Sequence, residues 1–485
     1  MNKFSSYIVL LLIAMATLIT SCSEDEVRAS LTLSQSSVYF SELGEQTTIT
    51  YTGSDIVEIS FDEDDLPSGW EIYVSRGNQT MTIVGPTTEE DFEESLTSTT
   101  ITFTVTSYDD LNSYDYLTLG TTNNSNVDLS ASQANSFMVS QANTIYSFDA
   151  TVKGEDGGTI TPSSVSILWQ TYPRPLSYSR LEDDKVVFHV AFDEDDYDED
   201  GLTDDLFEGN AIIAAYNSSG TILWSWHIWV SDFSAEDSAV TLNGKSIMSR
   251  NLGACNNSTV SETTILESYG LYYQWGRKDP FVRPAYYNAA GSSDATMYDE
   301  TGSAVTISYE ESTSSVGKES YAIKYPLTFI LGVEDSSYDW LYSAHSNELW
   351  SETKSVNDPC PKGWRVATPE VFDGLSIPAL TQAEHDAIAD SYGWILSDNA
   401  GNQNLFMGLG RRGYITGKIQ NVNLNETRPT PWAGYYWSCA ADDTTDNSAN
   451  ALYFAYDKTD PASNTISNKT LYRSNGMQVR CQRDE

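Results

Sequence analysis

Basic residues, histidine and cysteine are all scarce in this chain, and each scarcity closes off a class of function. Twenty-six Lys and Arg stand against 69 Asp and Glu, a net charge of −43. A surface so acidic repels phosphate backbones, which excludes nucleic acid as a partner. It is repelled by anionic lipopolysaccharide too, and it favours divalent cations as ligands, although most of the charge serves solubility. Histidine occurs four times (His189, His227, His345 and His385), never at metal-ligand spacing, and none of the five cysteines lies in a Cys-x-x-Cys. A zinc site is therefore not expected. No G-x-S-x-G is present and no histidine neighbours a candidate nucleophile, so no Ser-His-Asp assignment follows. Carboxylate pairs abound, but among 69 acids they arise by chance and none marks a general acid and base. No long apolar run follows the first 20 residues, so the mature chain is not expected to cross a membrane.

What is present begins at the N-terminus. Lys3 is followed by an apolar run from Tyr7 to Ala16 and then by Thr20-Ser21-Cys22, the charge-then-apolar layout of an export signal. This arrangement resembles a bacterial lipoprotein lipobox. The resemblance implies that residues 1–21 are removed and that Cys22 becomes the lipidated, palmitate-bearing N-terminus. The acidic Ser23-Glu24-Asp25-Glu26 resembles the signal by which Bacteroidota lipoproteins reach the outer face of the outer membrane. The expectation is an outer-membrane, cell-surface protein whose only contact with the membrane is its anchor, with residues 22–30 as an acidic tether.

Residues 31–143 read as short alternating strands: Ser37–Phe40, Thr47–Tyr51, Ile56–Phe61, Trp70–Val74, Thr80–Val84 and Thr99–Thr106. Gly, Pro, Asn and acidic turns separate them, which predicts an antiparallel β-sandwich. Residues 144–236 predict a second sandwich, with a hairpin of Ala211–Tyr216 and Thr221–Val230. Ile222, Trp224, Trp226 and Ile228 share one face of its last strand, a stripe expected in the core. From 237 to 485 the texture changes to dense Gly, Tyr and Trp. Helix starts are signalled at Thr368-Pro369 and by a capping box at Thr381–Glu384, so this domain is expected to be α+β. The fold class is thus multidomain and β-rich.

Two of these regions resemble known families. The opening LTLSQSSVYFSELGEQTTITYTGS is similar to BACON and related immunoglobulin-like modules, which implies a binding or spacer role. NLGA at 251–254, YYQWGRKDPF at 272–281, DPCPKGWRVATPEVF at 358–372, GYYWSC at 434–439 and NGMQVRC at 475–481 occur in order. They resemble the Fibrobacter succinogenes major paralogous domain of Bacteroidota surface proteins. That resemblance implies a C-type-lectin-like fold, related in architecture to formylglycine-generating enzymes. By sequence alone, Cys255, Cys360, Cys439 and Cys481 allow three pairings. The resemblance implies Cys360 with Cys481, leaving Cys255 and Cys439 for a second bridge.

Two ligand sites are expected. Asp196-x-Asp198-x-Asp200-Gly201-x-x-Asp204 resembles EF-hand and dockerin calcium loops, in which carboxylates at alternate positions converge on the ion and glycine makes the turn. Position twelve is Phe207, so the final acid is Glu208, one place late. Structural Ca2+ is the cofactor this implies. The second expectation is glycan recognition in the last domain, where Trp432, Tyr435, Tyr436, Trp340 and Trp350 could stack under sugar rings. Trp432 is the foremost, since it follows Pro429-Thr-Pro431. The calcium-dependent lectin motifs Glu-Pro-Asn and Trp-Asn-Asp are absent. The function expected is non-catalytic recognition or adhesion toward a glycan or a surface protein, alongside polysaccharide-uptake components. The alternatives are a fimbria-associated subunit with pilus partners, or a formylglycine-generating type of enzyme.

Overall fold

In the computed structural model, residues 28–484 are described except 97, 123, 156, 193–205, 287–292, 344, 378–391, 421–431, 443 and 457–463. The chain divides into two compact units. Unit 1 comprises the residues up to Ser34 together with Leu43–Leu119; unit 2 comprises Gln35–Glu42 and Gly120–Glu485.

The strands in the first part of the chain are β1 (Ser30–Leu33), β2 (Ser37–Phe40), β3 (Gln46–Ser54), β4 (Glu58–Ser60), β5 (Glu71–Ser75), β6 (Thr80–Val84), β7 (Thr99–Thr106) and β8 (Asn112–Thr121). In unit 1 one sheet runs β1-β3-β6-β5 and the other carries β8-β7-β4. Alternation decides which face is inside. On β7 and β8, Ile101, Phe103, Val105, Leu117 and Leu119 are fully buried, while the intervening residues point outward. A six-residue helix, Glu89–Glu94, starts at Thr88, whose hydroxyl accepts from the Asp91 N–H, as an N-cap should.

Unit 2 continues with β9 (Asn124–Asp128), β10 (Ser136–Val139), β11 (Thr144–Asp149), β12 (Ser164–Gln170), β13 (Leu176–Glu182), β14 (Lys185–Val190), β15 (Gly209–Tyr216) and β16 (Ile222–Val230). The expected start of the second sandwich at 144 is too late. β9 pairs in parallel with β11, and β10 in parallel with β16, so this sandwich begins near residue 120. The 215–222 hairpin forms as expected: the Asn217 side chain accepts from the Ser219 and Thr221 N–H groups, and Gly220 takes a positive φ.

The boundary expected at 236 separates no compact units. β15 and β16 are buried on both faces. Trp224, Trp226 and Ile228 fill the sandwich core, whereas Ile212 and Trp229 on the opposite face join the core of the C-terminal part. A strand apolar on both faces needs a layer on each side, and residues 239–485 supply the second one. The hairpin of β17 (Met297–Tyr298) and β18 (Ala304–Val305) also extends the sandwich sheet beside β12.

The C-terminal part is α+β. Its largest sheet includes β19 (Trp432–Ala441), β20 (Ser448–Tyr456), β21 (Thr465–Tyr472) and β22 (Gly476–Val479), with β19-β20-β21 antiparallel and β19 parallel to β22. Helix Pro369–Phe372 begins at the expected proline, but Thr368 does not cap it. The threonine N–H and hydroxyl both donate to Gln482 instead. The second expected helix start, Thr381–Glu384, lies outside the described residues.

Candidate functional site

The aromatic residues expected to contact ligand are core. Trp432 lies at the start of β19, fully buried, stacked on Tyr456 with ring centroids 5.1 Å apart. Its indole covers Gly408, where any Cβ would stand 2.0 Å from the ring. Trp340 and Trp350 are equally enclosed and donate their N–H groups to the carbonyls of Trp275 and Asn357. Tyr436 exchanges hydrogen bonds with the Met407 backbone, and Tyr435 is buried under Arg411. The reason is register. Proline before Trp432 suggested an exposed loop, but β19 enters the sheet at Trp432 itself, and both of its faces are covered.

Four arginines occupy this same interior, a feature that composition did not foreshadow. Arg277, Arg412, Arg473 and Arg480 are nearly inaccessible. Each lies over aromatic rings: Arg473 is 4.5 Å from Trp275 and Arg480 is 4.7 Å from Phe406. Their N–H groups run to main-chain carbonyls such as Ser448 and Met248. Cation–π contact, carbonyl acceptors and, for Arg412 and Arg473, the carboxylates of Asp294 and Asp339 offset the lost hydration.

Cys360 and Cys481 form a disulfide, with sulfurs 2.04 Å apart. The expected second bridge does not exist: Cys255 and Cys439 are free thiols. Burial pushes both toward the protonated form, Cys439 to about 12. His189 and His227 are likewise structural. Burial lowers each to about 3, and both ring nitrogens of each have partners: Ser177 and Asn143 for His189, Ser136 and Asn210 for His227.

Asp196, Asp198, Asp200 and Asp204 lie outside the described residues, as does Cys22. Glu208 is described. One of its oxygens accepts from the Ser231 hydroxyl and from the Asp232 N–H at 2.9 Å, and burial raises its pKa. Among the described residues no group of three or more His, Cys, Asp or Glu could hold a metal ion, and no helix is long and apolar enough to cross a membrane.

One exposed surface does combine the groups that sequence reasoning sought elsewhere. Tyr114 and Tyr116 stand two residues apart on β8, 58% and 54% exposed. Residues so spaced share a face and lie about 6.8 Å apart along the strand. Register sets Tyr116 opposite Thr102 and Tyr114 opposite Thr104 on β7, and Thr104 opposite Ser60 on β4. Glu58, Thr106 and Asn112 form the next row, with the Thr106 hydroxyl bonded to the Asn112 side chain at 3.1 Å. Thr100 and Thr118 close the other end, their hydroxyls 3.0 Å apart. The result is a three-stranded face with two rings amid hydroxyls, an amide and a single carboxylate. Sequence reasoning missed it because β8 was not recognised as a strand, although Asn112-Ser-Tyr-Asp-Tyr-Leu-Thr-Leu alternates polar and apolar residues over its last half.

No family model and no curated protein matches this chain. Among solved structures, 42% of it aligns with SGBP-B of the Bacteroides ovatus mixed-linkage glucan utilization locus, in complex with a mixed-linkage heptasaccharide, at 12% identity, 45% of that chain and a TM-score of 0.14. The same share aligns with a tri-modular endo-β-1,4-glucanase from Bacillus licheniformis, at 8% identity, 38% of that chain and 0.13. It also aligns with the Ig1-2 module of the Drosophila receptor protein tyrosine phosphatase DLAR, at 11% identity, 99% of that chain and 0.17. The chain thus covers less than half the length of the first two. At such TM-scores these likenesses decide nothing about function, and the β-sandwich description rests on the strand pairing given above.

Proposed function

We propose that this protein is a lipid-anchored surface protein that recognises neutral glycans without catalysis, through the outer face of β4, β7 and β8. The observation that carries the reading is the exposed Tyr114–Tyr116 pair set in a lattice of threonine hydroxyls. A sugar ring offers an apolar C–H face to an aromatic ring and a rim of hydroxyls to polar side chains. A glycan chain lying along β8 would meet both tyrosines in succession, with Thr102, Thr104 and Asn112 beside it. Glu58 is the sole charge on these rows, and the chain carries −43 overall, so neutral polymers are favoured over anionic ones.

Cys22 is the proposed point of lipidation, testable by incorporation of a labelled fatty acid that Cys22→Ala abolishes. The C-terminal part is read as C-type-lectin-like, supported by the disulfide that joins Cys360, ahead of helix Pro369–Phe372, to the last strand. The non-catalytic reading is supported by the state of Cys255, Cys439, His189 and His227, whose thiols and imidazoles burial holds uncharged. A microarray of neutral polysaccharides, probed with the full chain and with a Tyr114→Ala/Tyr116→Ala variant, tests the proposal. Capture of the wild type and loss of capture in the variant are expected. Capture of neither, or equally of both, overturns it.

A further inference from the structure

We infer that a second, chemically different glycan contact exists within unit 2: a cleft that takes one sugar residue of a neutral glycan. The inference rests on the glycan reading above. The cleft encloses about 320 Å³ between the sandwich and the C-terminal part, the small end of the range for ligand clefts, which is about 300–1,000 Å³. That is room for a sugar ring. Leu271 and Val282, both buried, give it an apolar floor.

Its polar groups suit hydroxyls. Arg283 lines the cleft with one N–H donated to the Pro284 carbonyl at 3.0 Å and, among the described residues, no carboxylate within ion-pair distance. Glu267 lines it too, one oxygen accepting from Asn256 at 3.1 Å. Glu208 shares the wall and uses one oxygen for Ser231 and Asp232. Each of the three keeps donor or acceptor capacity for a ligand. Two carboxylates repel an anionic ligand, and the guanidinium offsets part of their pull on a cationic one. The mixed set suits a neutral polyol, whose vicinal hydroxyls can donate to the glutamates and accept from the arginine. At the rim Tyr172 is 75% exposed beside Tyr298, their rings 6.0 Å apart. It offers a flat ring over which a sugar can close the cleft.

The test is titration calorimetry of the full chain with glucose, galactose, mannose, N-acetylglucosamine and fucose. At least one should bind in the millimolar range, and Tyr172→Ala and Arg283→Met should each weaken it at least tenfold. Tyr172 is on the surface, so its variant keeps the test sound even where the Arg283 variant folds poorly. The Tyr114→Ala/Tyr116→Ala variant should bind that sugar as the wild type does. A silent panel, or unchanged affinity in Tyr172→Ala, overturns this inference. Loss of polysaccharide capture in the sheet-face variant would then still stand by itself, so the two failures are distinguishable.

Discussion

Glu300 should make the stability of unit 2 fall as the solution becomes alkaline. The residue sits in the turn between β17 and β18, 5% exposed, with its carboxyl accepting from the Ile167 N–H of β12 at 3.0 Å and from the Ser179 N–H of β13 at 2.6 Å. It thereby ties together strands from the two opposing sheets of the sandwich. Burial raises its pKa from 4.5 to about 8 against the opposing effect of those hydrogen bonds. Between 4.5 and 8 the folded protein holds a proton that the unfolded chain has released, so stability declines with rising pH by about 1.4 kcal/mol per unit. His189 and His227 act in the opposite sense. Each titrates near 3 when folded, below the ordinary 6.5, so the unfolded chain takes up two protons as pH drops below 6.5 and stability is lost on the acid side. From 4.5 to 6.5 the two histidines outweigh Glu300; above 6.5 they no longer oppose it, and Glu208 and Asp339, also raised by burial, act in the same sense as Glu300. Stability should therefore peak near pH 6.5 and be lower by about 2 kcal/mol at pH 8. Glu300→Gln keeps an acceptor oxygen without a titrating proton and should flatten that alkaline limb. Urea unfolding followed by tryptophan fluorescence reports it well, because every one of the 12 tryptophans except Trp70 falls in unit 2. Parallel curves for wild type and Glu300→Gln between pH 6.5 and 8 would refute the reasoning.

The Cys360–Cys481 bond spans 121 residues; on the chain-entropy model, Cys360→Ser/Cys481→Ser should cost about 5 kcal/mol in urea unfolding. Non-reducing mass spectrometry should find Cys255 and Cys439 both alkylatable after unfolding, and a bridge between them would contradict the structure. Trp432→Ala should destabilise unit 2 by about 3–5 kcal/mol, as loss of a fully buried indole does, while leaving polysaccharide capture by the folded fraction intact. A stable variant with impaired capture would restore Trp432 as a contact. Calcium at Asp196–Asp204 should raise the melting temperature in a concentration-dependent way, worth about 2.7 kcal/mol at a hundredfold excess over Kd; an unchanged melt with chelator sinks that site.

Much of the strand order was legible because alternation is a local signal. Thr99–Thr106 and Thr80–Val84 appear with the bounds their sequences suggest, and the core stripe through Trp224, Trp226 and Ile228 lies inside the sandwich. β9 and β10 were not legible, since each is short and pairs in parallel with a strand that patterning alone does not link to it. Nor was the merging of the second sandwich with the C-terminal part. An apolar Trp229 facing away from the sandwich core reads as a surface residue until a second layer is known to cover it. The candidate site was misplaced for a related reason. Aromatic density in the last domain marks a core in which arginines stack on rings, whereas the exposed rings sit on a strand whose first half, Asn112-Ser-Tyr-Asp-Tyr, is too polar to read as a strand.

Glycan recognition by this sheet face requires that Tyr114 and Tyr116 touch the polymer. Hydroxyl-radical footprinting of the full chain, with and without the polysaccharide captured on the array, reads this directly from tyrosine oxidation. Covering roughly 60 Å² of each ring would contribute about 1.5 kcal/mol, near tenfold in Kd per tyrosine. The ligand should therefore protect both rings severalfold while leaving Tyr108, 81% exposed in the same unit, as reactive as before. Equal oxidation of Tyr114 and Tyr116 with and without saturating polysaccharide would contradict the account.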